Sequence, residues 1–363
     1  MSERTPLYAE HIERGGVMVD FAGYELPVRY PQGIIAEHNA VRNAAGLFDV
    51  SHMGEFTLKG KDAVKALNHV LTNDFTVMDA GRVRYSLMCY PGGGAVDDVL
   101  VYKKSAEDFL IVVNAANKDK DFEWMSANLD DFEVELGDIS DKVAQLALQG
   151  PRSKEILCAI ADAAELPEKY YSFKENVTVG GVNALVSRTG YTGEDGYELY
   201  CAPSDALKLY DALMIAGAPY GLIPAGLGAR DTLRTEAAMP LYGHELRADY
   251  PVSEAGLDFA VKYTKEDFIG KAALLSRPPQ YVRIGVRVAD RGIVREGTPI
   301  FTAEGEEAGI ATSGTMAPSL GYAIAMLRVR REYADCELCA EVRGKRLKLA
   351  RVPLPFYKAG AKN

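Results

Sequence analysis

Cysteine is scarce in this chain: five in 363 residues, at Cys89, Cys158, Cys201, Cys336 and Cys339. They are too few and too scattered for a disulfide framework at this length. Cys336 and Cys339 form a C-x-x-C, but no second pair lies near it, and a zinc site normally needs four ligands. They read as ordinary buried thiols in a strand running from Cys336 to Val342. Histidine is sparse too. His11, His38, His52, His69 and His244 show no i,i+4 pairing and no H-E-x-x-H grouping, so no metal is expected. No apolar run is long enough to span a bilayer. The start, M-S-E-R-T-P-L-Y, lacks a signal-type hydrophobic region and an Arg-rich transit segment, which points to the cytoplasm. Positive charge is in deficit: the net charge is −10. That argues against nucleic acid or an anionic membrane as the main partner.

The composition is otherwise ordinary for a globular protein, with 48% hydrophobic and 25% charged residues. The length calls for two or three domains. Thr5 and Pro6 suit an N-cap and first helical position and Gly15 a stop, predicting a helix over Pro6–Arg14. A second helix carries Ile34, His38, Val41 and Ala45 on one face and ends at Gly46, with His38 a packed, hydrogen-bonded histidine. From Leu47 the texture changes to strand (Leu47–Leu58), helix (Lys61–Leu71) and strands (Arg82–Tyr90, Ala95–Tyr102, Phe109–Asn114). This alternation suggests an α+β domain with a mainly antiparallel sheet. Asn114 ends an almost wholly apolar strand, where it would cap the following turn. From Tyr281 the chain is nearly all strand and turn, which suggests a small β-barrel or sandwich of about eighty residues.

Three stretches stand out. In P-G-G-G-A-V-D-D-V-L-V-Y (Pro91–Tyr102) a glycine turn feeds a strand interrupted by two acids. Successive strand side chains point to opposite faces, so Asp97 and Asp98 cannot share a destination. One can tie down the turn or reach solvent. The other is either a hydrogen-bonded carboxylate or one that lines a ligand cavity. In S-R-T-G-Y-T-G-E-D-G-Y-E-L-Y (Ser187–Tyr200), Asp195-Gly196 is a hairpin signal, with Glu198 either solvent-facing or functional. In P-A-G-L-G-A-R-D-T-L-R (Pro224–Arg234), Arg230 sits near a helix N-terminus, where a cation wants a compensating anion, from the protein or from a ligand carboxylate. The G-x-G there lacks the third glycine of a dinucleotide fingerprint.

These stretches, together with R-T-P-L-Y, F-D-V-S-H-M-G, V-N-A-A-N-K-D, A-L-Q-G-P, L-Y-G-H-E-L, D-F-I-G-K and the closing P-F-Y, occur in order over the whole chain. In this the chain resembles the glycine-cleavage T proteins, the tetrahydrofolate-dependent aminomethyltransferases. The resemblance implies an α+β fold of three domains in a cloverleaf around a central folate channel, closed by a C-terminal β-barrel-like domain. Residues 1–47 plus 141–260 would form the first domain and 48–140 an inserted α+β domain. Residues 261–280 would connect to the 281–363 barrel. It implies tetrahydrofolate as co-substrate, no metal, and a lipoylated H protein as partner. Asp98 falls on the catalytic acid, which leaves Asp97 to hold the turn. Glu198 falls on the pterin-binding acid and Arg230 on the arginine after G-L-G-A. Met53, Tyr85 and Asn114 fall on positions lining the folate channel. Tyr24 stands where a tryptophan is more usual, and Met239 where some relatives differ. The same superfamily includes folate-dependent demethylases of small S- or N-methyl compounds. It also includes a non-enzymatic folate-binding paralogue whose K-G-C-Y-x-G-Q-E signature is replaced here by D-F-I-G-K. Lys345, Arg346, Lys348 and Arg351 form either a patch for an acidic carrier or a charged, solvated strand.

Overall fold

The structure, a computed structural model, describes residues 2–360; the outermost ends of the expected first and last domains, Met1 and residues 361–363, lie outside it. The chain divides into two compact units. One holds the chain up to Val70 with Asp74–Ser86 and Val99–Asp231. The other holds Leu71–Asn73, Leu87–Asp98 and the chain from Thr232 on.

The core of the first unit is a six-stranded sheet in the order Phe173–Val179, Val182–Ser187, Gly196–Cys201, Ala144–Gln149, Ala45–Asp49, Leu222–Pro224. Its pairs are antiparallel except the last, which is parallel. One face packs Leu146, Leu148, Tyr197 and Leu199 against the Ala206–Gly217 helix through Leu209 and Leu213. Period-2 alternation therefore sends Gln145, Ala147, Gln149, Glu198 and Tyr200 to the opposite face. All six residues of Ala144–Gln149 are nonetheless buried. Two glutamines on a fully buried strand must find hydrogen-bond partners, and the site below supplies them.

Several local expectations change. The run Leu47–Leu58 is two strands, Ala45–Asp49 and Gly54–Lys59. The break falls at Val50–Met53 because Asp49 is committed elsewhere: its carboxylate accepts from Thr5 Oγ1 (2.6 Å) and Ser51 N (2.9 Å) and lies 2.8 Å from His11 Nε2. Burial opposes the Asp49 charge, but these bonds and His11 outweigh it, and its pKa falls below the usual carboxylate value. The Thr5 hydroxyl is thus spent on Asp49 and does not cap the helix: the first helix is Tyr8–Glu13 with Leu7 at its N-cap, and Thr5 contributes only its backbone carbonyl, which accepts from Tyr8 N at 3.1 Å. Gly46 lies inside the Ala45–Asp49 strand, and the second helix stops at Asn43.

In the second unit, residues 281–352 form a closed six-stranded barrel ordered Tyr281–Val288, Tyr322–Arg330, Glu307–Ala317, Pro299–Thr302, Leu338–Val342, Lys345–Val352. Ile284, Val286, Leu327, Val329 and Ala340 fill it. Closure removes the edge strands that an open sheet would leave. The C-x-x-C is not a pair of buried thiols. Cys336 precedes its strand and is exposed, and Cys339 is half-buried. Among the described residues no helix is long and apolar enough to cross a membrane.

Candidate active site

In the register of the central sheet, Glu198 stands opposite Ala147 on one neighbouring strand and Ser187 on the other. Small side chains on both sides leave a hollow above the carboxylate. It opens into a pocket with about 380 Å³ of empty space, counting the open solvent at its mouth. Phe48, Val50, Met53, Ala147 and Tyr191 supply its apolar wall, and Gln149, Thr192, Glu198 and Arg230 its polar groups.

The Glu198 carboxylate is anchored at both oxygens. Gln145 Nε2 donates to Oε1 at 3.0 Å, and the Thr189 hydroxyl donates to Oε2. Burial raises its pKa above the ordinary value; the Thr189 bond, the Arg230 charge and the Gln145 bond oppose that rise. Arg230 lies in the Leu227–Glu236 helix with its guanidinium 4.4 Å from the Tyr191 ring centroid. Stacking on an aromatic face orients the planar fork. Beside Arg230, His52 is buried and kept neutral. Burial, with the Arg230 charge adding and Asp49 opposing, pushes its pKa down to about 4. His52 packs edge-on against Phe21 at 5.7 Å.

The wall segment Arg188–Asp195 is an eight-residue connection, so Asp195-Gly196 is not the tip of a two-residue hairpin; Gly196 already belongs to the Gly196–Cys201 strand. A bidentate pair closes the loop, with Arg188 Nε donating to Asp195 Oδ1 (2.9 Å) and Nη2 to Oδ2 (2.6 Å). Arg42 Nη1 donates to Thr192 O at 2.7 Å and to Glu194 Oε1 at 3.0 Å, pinning the loop's middle. Gln149 completes the wall: its Nε2 donates to Thr189 O (3.1 Å), and its Oε1 accepts from Thr192 Oγ1 (2.9 Å). The amide fits only because residues 190 and 196 are glycines. A Cβ at Gly190 would stand 2.0 Å from Gln149 Oε1, and one at Gly196 would stand 2.5 Å from Nε2. Gly196→Ala is therefore expected to destabilise the protein by about 1–3 kcal/mol through overpacking. The check is a lower denaturant midpoint at unchanged m-value; an unchanged midpoint would mean that the amide moves aside freely.

Of the residues singled out from the sequence, Met53, Glu198 and Arg230 line this one pocket. Tyr85, half-buried on the Arg82–Cys89 strand, and Asn114 are not among its lining residues. Asn114 caps the Ala115–Asn117 turn through its backbone carbonyl, which accepts from Asn117 N at 2.9 Å, and not through its side chain. Asp97 and Asp98 belong to the other unit and take opposite sides of the Ala95–Lys103 strand: Asp97 is fully buried, Asp98 partly exposed. Their strand is set by backbone bonds around the glycine turn. Tyr90 N donates to Gly94 O, Ala95 N to Arg247 O, and Val252 N to Gly93 O, all within 3.0 Å.

The family models agree with this architecture. One, the GCVT N-terminal domain, matches residues 7–265; the other, the glycine cleavage T-protein C-terminal barrel domain, matches residues 282–358. The chain belongs to the glycine cleavage T-protein family. An aminomethyltransferase of Geobacillus sp. (strain WCH70) is 49% identical over 364 residues, covering 99% of each chain. One from Bacillus mycoides (strain KBAB4) is 47% identical over 362 residues, covering 98% of each. The crystal structure of glycine cleavage system aminomethyltransferase T from Bartonella henselae matches with a TM-score of 0.91 at 31% identity, covering 99% of each chain. Like these family members, the chain is an aminomethyltransferase. What sequence reading missed at this pocket is three of its lining residues, Gln149, Tyr191 and Thr192, and the two donors to Glu198, Gln145 and Thr189. The signal for the glutamines was present as polar residues at alternate positions of a strand too apolar to face water.

Proposed function

We propose that this chain moves the methylene of an aminomethyl group, carried as a thioether on the dihydrolipoyl arm of an H protein, onto tetrahydrofolate. In that reaction the carbon–sulfur bond breaks and the arm regains its thiol. The carbon forms bonds to N5 and N10 of the folate, and the two N–H protons lost there balance the thiol and the released ammonia. The observation that carries the reading is Glu198. It is a carboxylate at the base of a pocket with apolar and aromatic walls, each oxygen keeping a lone pair to accept from a flat, N–H-bearing heterocycle such as a pterin. Arg230, forked and always charged, suits a carboxylate of the folate tail. Met53 supplies an apolar wall against which a ring can lie, and Tyr85 and Asn114 are assigned to the approach. Asp98 is assigned to proton transfer and folate orientation at the reacting nitrogens, with Asp97 as its structural partner.

In this reading residues 1–47 with 141–260, 48–140 and 281–363 act as three functional domains joined by 261–280, and the reaction runs in the cytoplasm without a metal. The test is an omission series. Ammonia release should require aminomethylated H protein, tetrahydrofolate and this chain together. Turnover of a free S- or N-methyl compound in place of the carrier would favour the demethylase reading instead.

A further inference from the structure

Behind Glu198 lie two flanks of buried, hydrogen-bonded side chains. Gln145 Nε2 donates to Glu198 Oε1 (3.0 Å) and also to the Tyr200 hydroxyl (3.1 Å). Tyr200 and Tyr102 join hydroxyl to hydroxyl at 2.7 Å. On the other flank the Ser187 and Thr189 hydroxyls lie 2.9 Å apart, and Thr189 donates to Glu198 Oε2. Gln145, Tyr200, Tyr102, Ser187 and Thr189 are each at least nine-tenths buried, so no water shares these bonds freely.

Donor counting gives these bonds a direction. The Gln145 amide spends both its hydrogens, one on Glu198 and one on Tyr200. Tyr200 has then accepted and can pass its own hydrogen to Tyr102, while on the other flank Thr189 donates to Glu198. Both arms therefore end by donating into the same carboxylate, an arrangement that suits an ionised Glu198. A protonated Glu198 would turn one of its oxygens into a donor. A proton on Oε1 requires the Gln145 amide to turn over and offer its oxygen while Tyr200 reverses, and a proton on Oε2 requires the Thr189 hydroxyl to accept where it now donates. In the observed orientation Gln145 Oε1 is buried and has no partner. An unmet acceptor on a buried amide is costly, and here it accompanies the placing of both amide hydrogens on the Glu198 side.

We propose that Gln145, backed by Tyr200 and Tyr102, is a positioning network that presents Glu198 as a two-oxygen acceptor to the pocket and sets the lower pH limit of folate binding. The inference rests on Glu198 being the pterin-binding acid. The other groups acting on the network are Arg230 from the Leu227–Glu236 helix, Tyr170 from the loop before Phe173, and Glu55 from the Gly54–Lys59 strand, which bears on Tyr200. Burial works against the Glu198 charge, and removal of the Gln145 donor leaves that burial less opposed. Folate affinity should then disappear at a higher pH than in the unaltered protein.

The experiment is calorimetric titration with tetrahydrofolate, under anaerobic conditions, from about pH 5.5 to about pH 9, on the unaltered chain and on Gln145→Leu, Tyr200→Phe and Glu198→Gln. Gln145→Leu should bind up to about tenfold more weakly at the acid end of the series and recover to within about threefold at the alkaline end, as a one-unit displacement of the Glu198 titration requires. Tyr200→Phe, which removes a single oxygen and keeps the ring packing, should move the curve the same way by less. It decides the matter if Gln145→Leu fails to fold. Loss of affinity by the same factor at every pH, or curves that superimpose on the unaltered protein's, would overturn the network. If Glu198→Gln binds normally, the pterin reading of Glu198 fails, and the inference falls with it. If Glu198→Gln binds poorly while both network variants keep the original pH dependence, only the inference fails.

Discussion

Asp98→Asn is expected to bind tetrahydrofolate within about threefold of the unaltered chain and to lose at least about a hundredfold in kcat, the range removed with a general acid–base group. The substitution keeps the shape of the side chain and removes its negative charge and its ability to hold and release a proton. Its neighbourhood argues against a collapse of structure. The strand that carries Asp98 is placed by backbone bonds from Arg247 and Val252 to the glycine turn, none of which involves the side chain at 98. Asp98 is partly exposed, whereas Asp97 is fully buried. The companion substitution Asp97→Asn therefore changes a buried group and should show its effect in the unfolding midpoint first. Steady-state kinetics with saturating folate separate the two. An unchanged kcat in Asp98→Asn would return that residue to a structural role.

Glu198→Ala is expected to weaken tetrahydrofolate binding at least tenfold, roughly 1.4 kcal/mol per decade, with kcat affected less than KM. Glu198 lies between Ala147 and Ser187, so no neighbouring side chain of the sheet replaces its two oxygens. Truncation also strips an acceptor from Gln145 Nε2 and from the Thr189 hydroxyl. A stability cost of about 1–3 kcal/mol follows wherever water does not take its place. Calorimetric Kd and a thermal scan on the same preparation distinguish lost contacts from lost fold. Normal affinity would make Glu198 a bystander on the pocket floor.

How much of this was legible in the sequence depended on what kind of signal each residue sends. The barrel was readable because turn residues recur between short apolar runs, and no distant contact is needed to see that. The opposed destinations of Asp97 and Asp98 followed from strand geometry alone. The break at Val50–Met53 was not readable, since it depends on Asp49 being held by Thr5 and His11, residues some forty positions away in the chain. The same contact explains why the Thr5 hydroxyl, a good cap by type, does not cap the first helix. Asp195-Gly196 carries a turn signature, but the Arg188–Asp195 fork and the Arg42 contacts make a longer loop of that segment. Gln145 and Gln149 were the most instructive omission. Singly, each is an ordinary polar residue; only the register that sets Ala147 opposite Glu198 shows that one flank orients the acid and the other walls the pocket.

The central claim is that the carbon delivered to folate comes from a carrier-borne aminomethyl group. Its most direct measurement is a single turnover with H protein aminomethylated with a carbon-13 methylene, mixed with this chain and tetrahydrofolate and followed by carbon NMR. The account predicts that the label leaves the thioether and appears in methylene-tetrahydrofolate, with one ammonia released per carbon transferred and the lipoyl thiol restored. Label that stays on the carrier, or that leaves it as free formaldehyde at the same rate whether or not tetrahydrofolate is present, would contradict it.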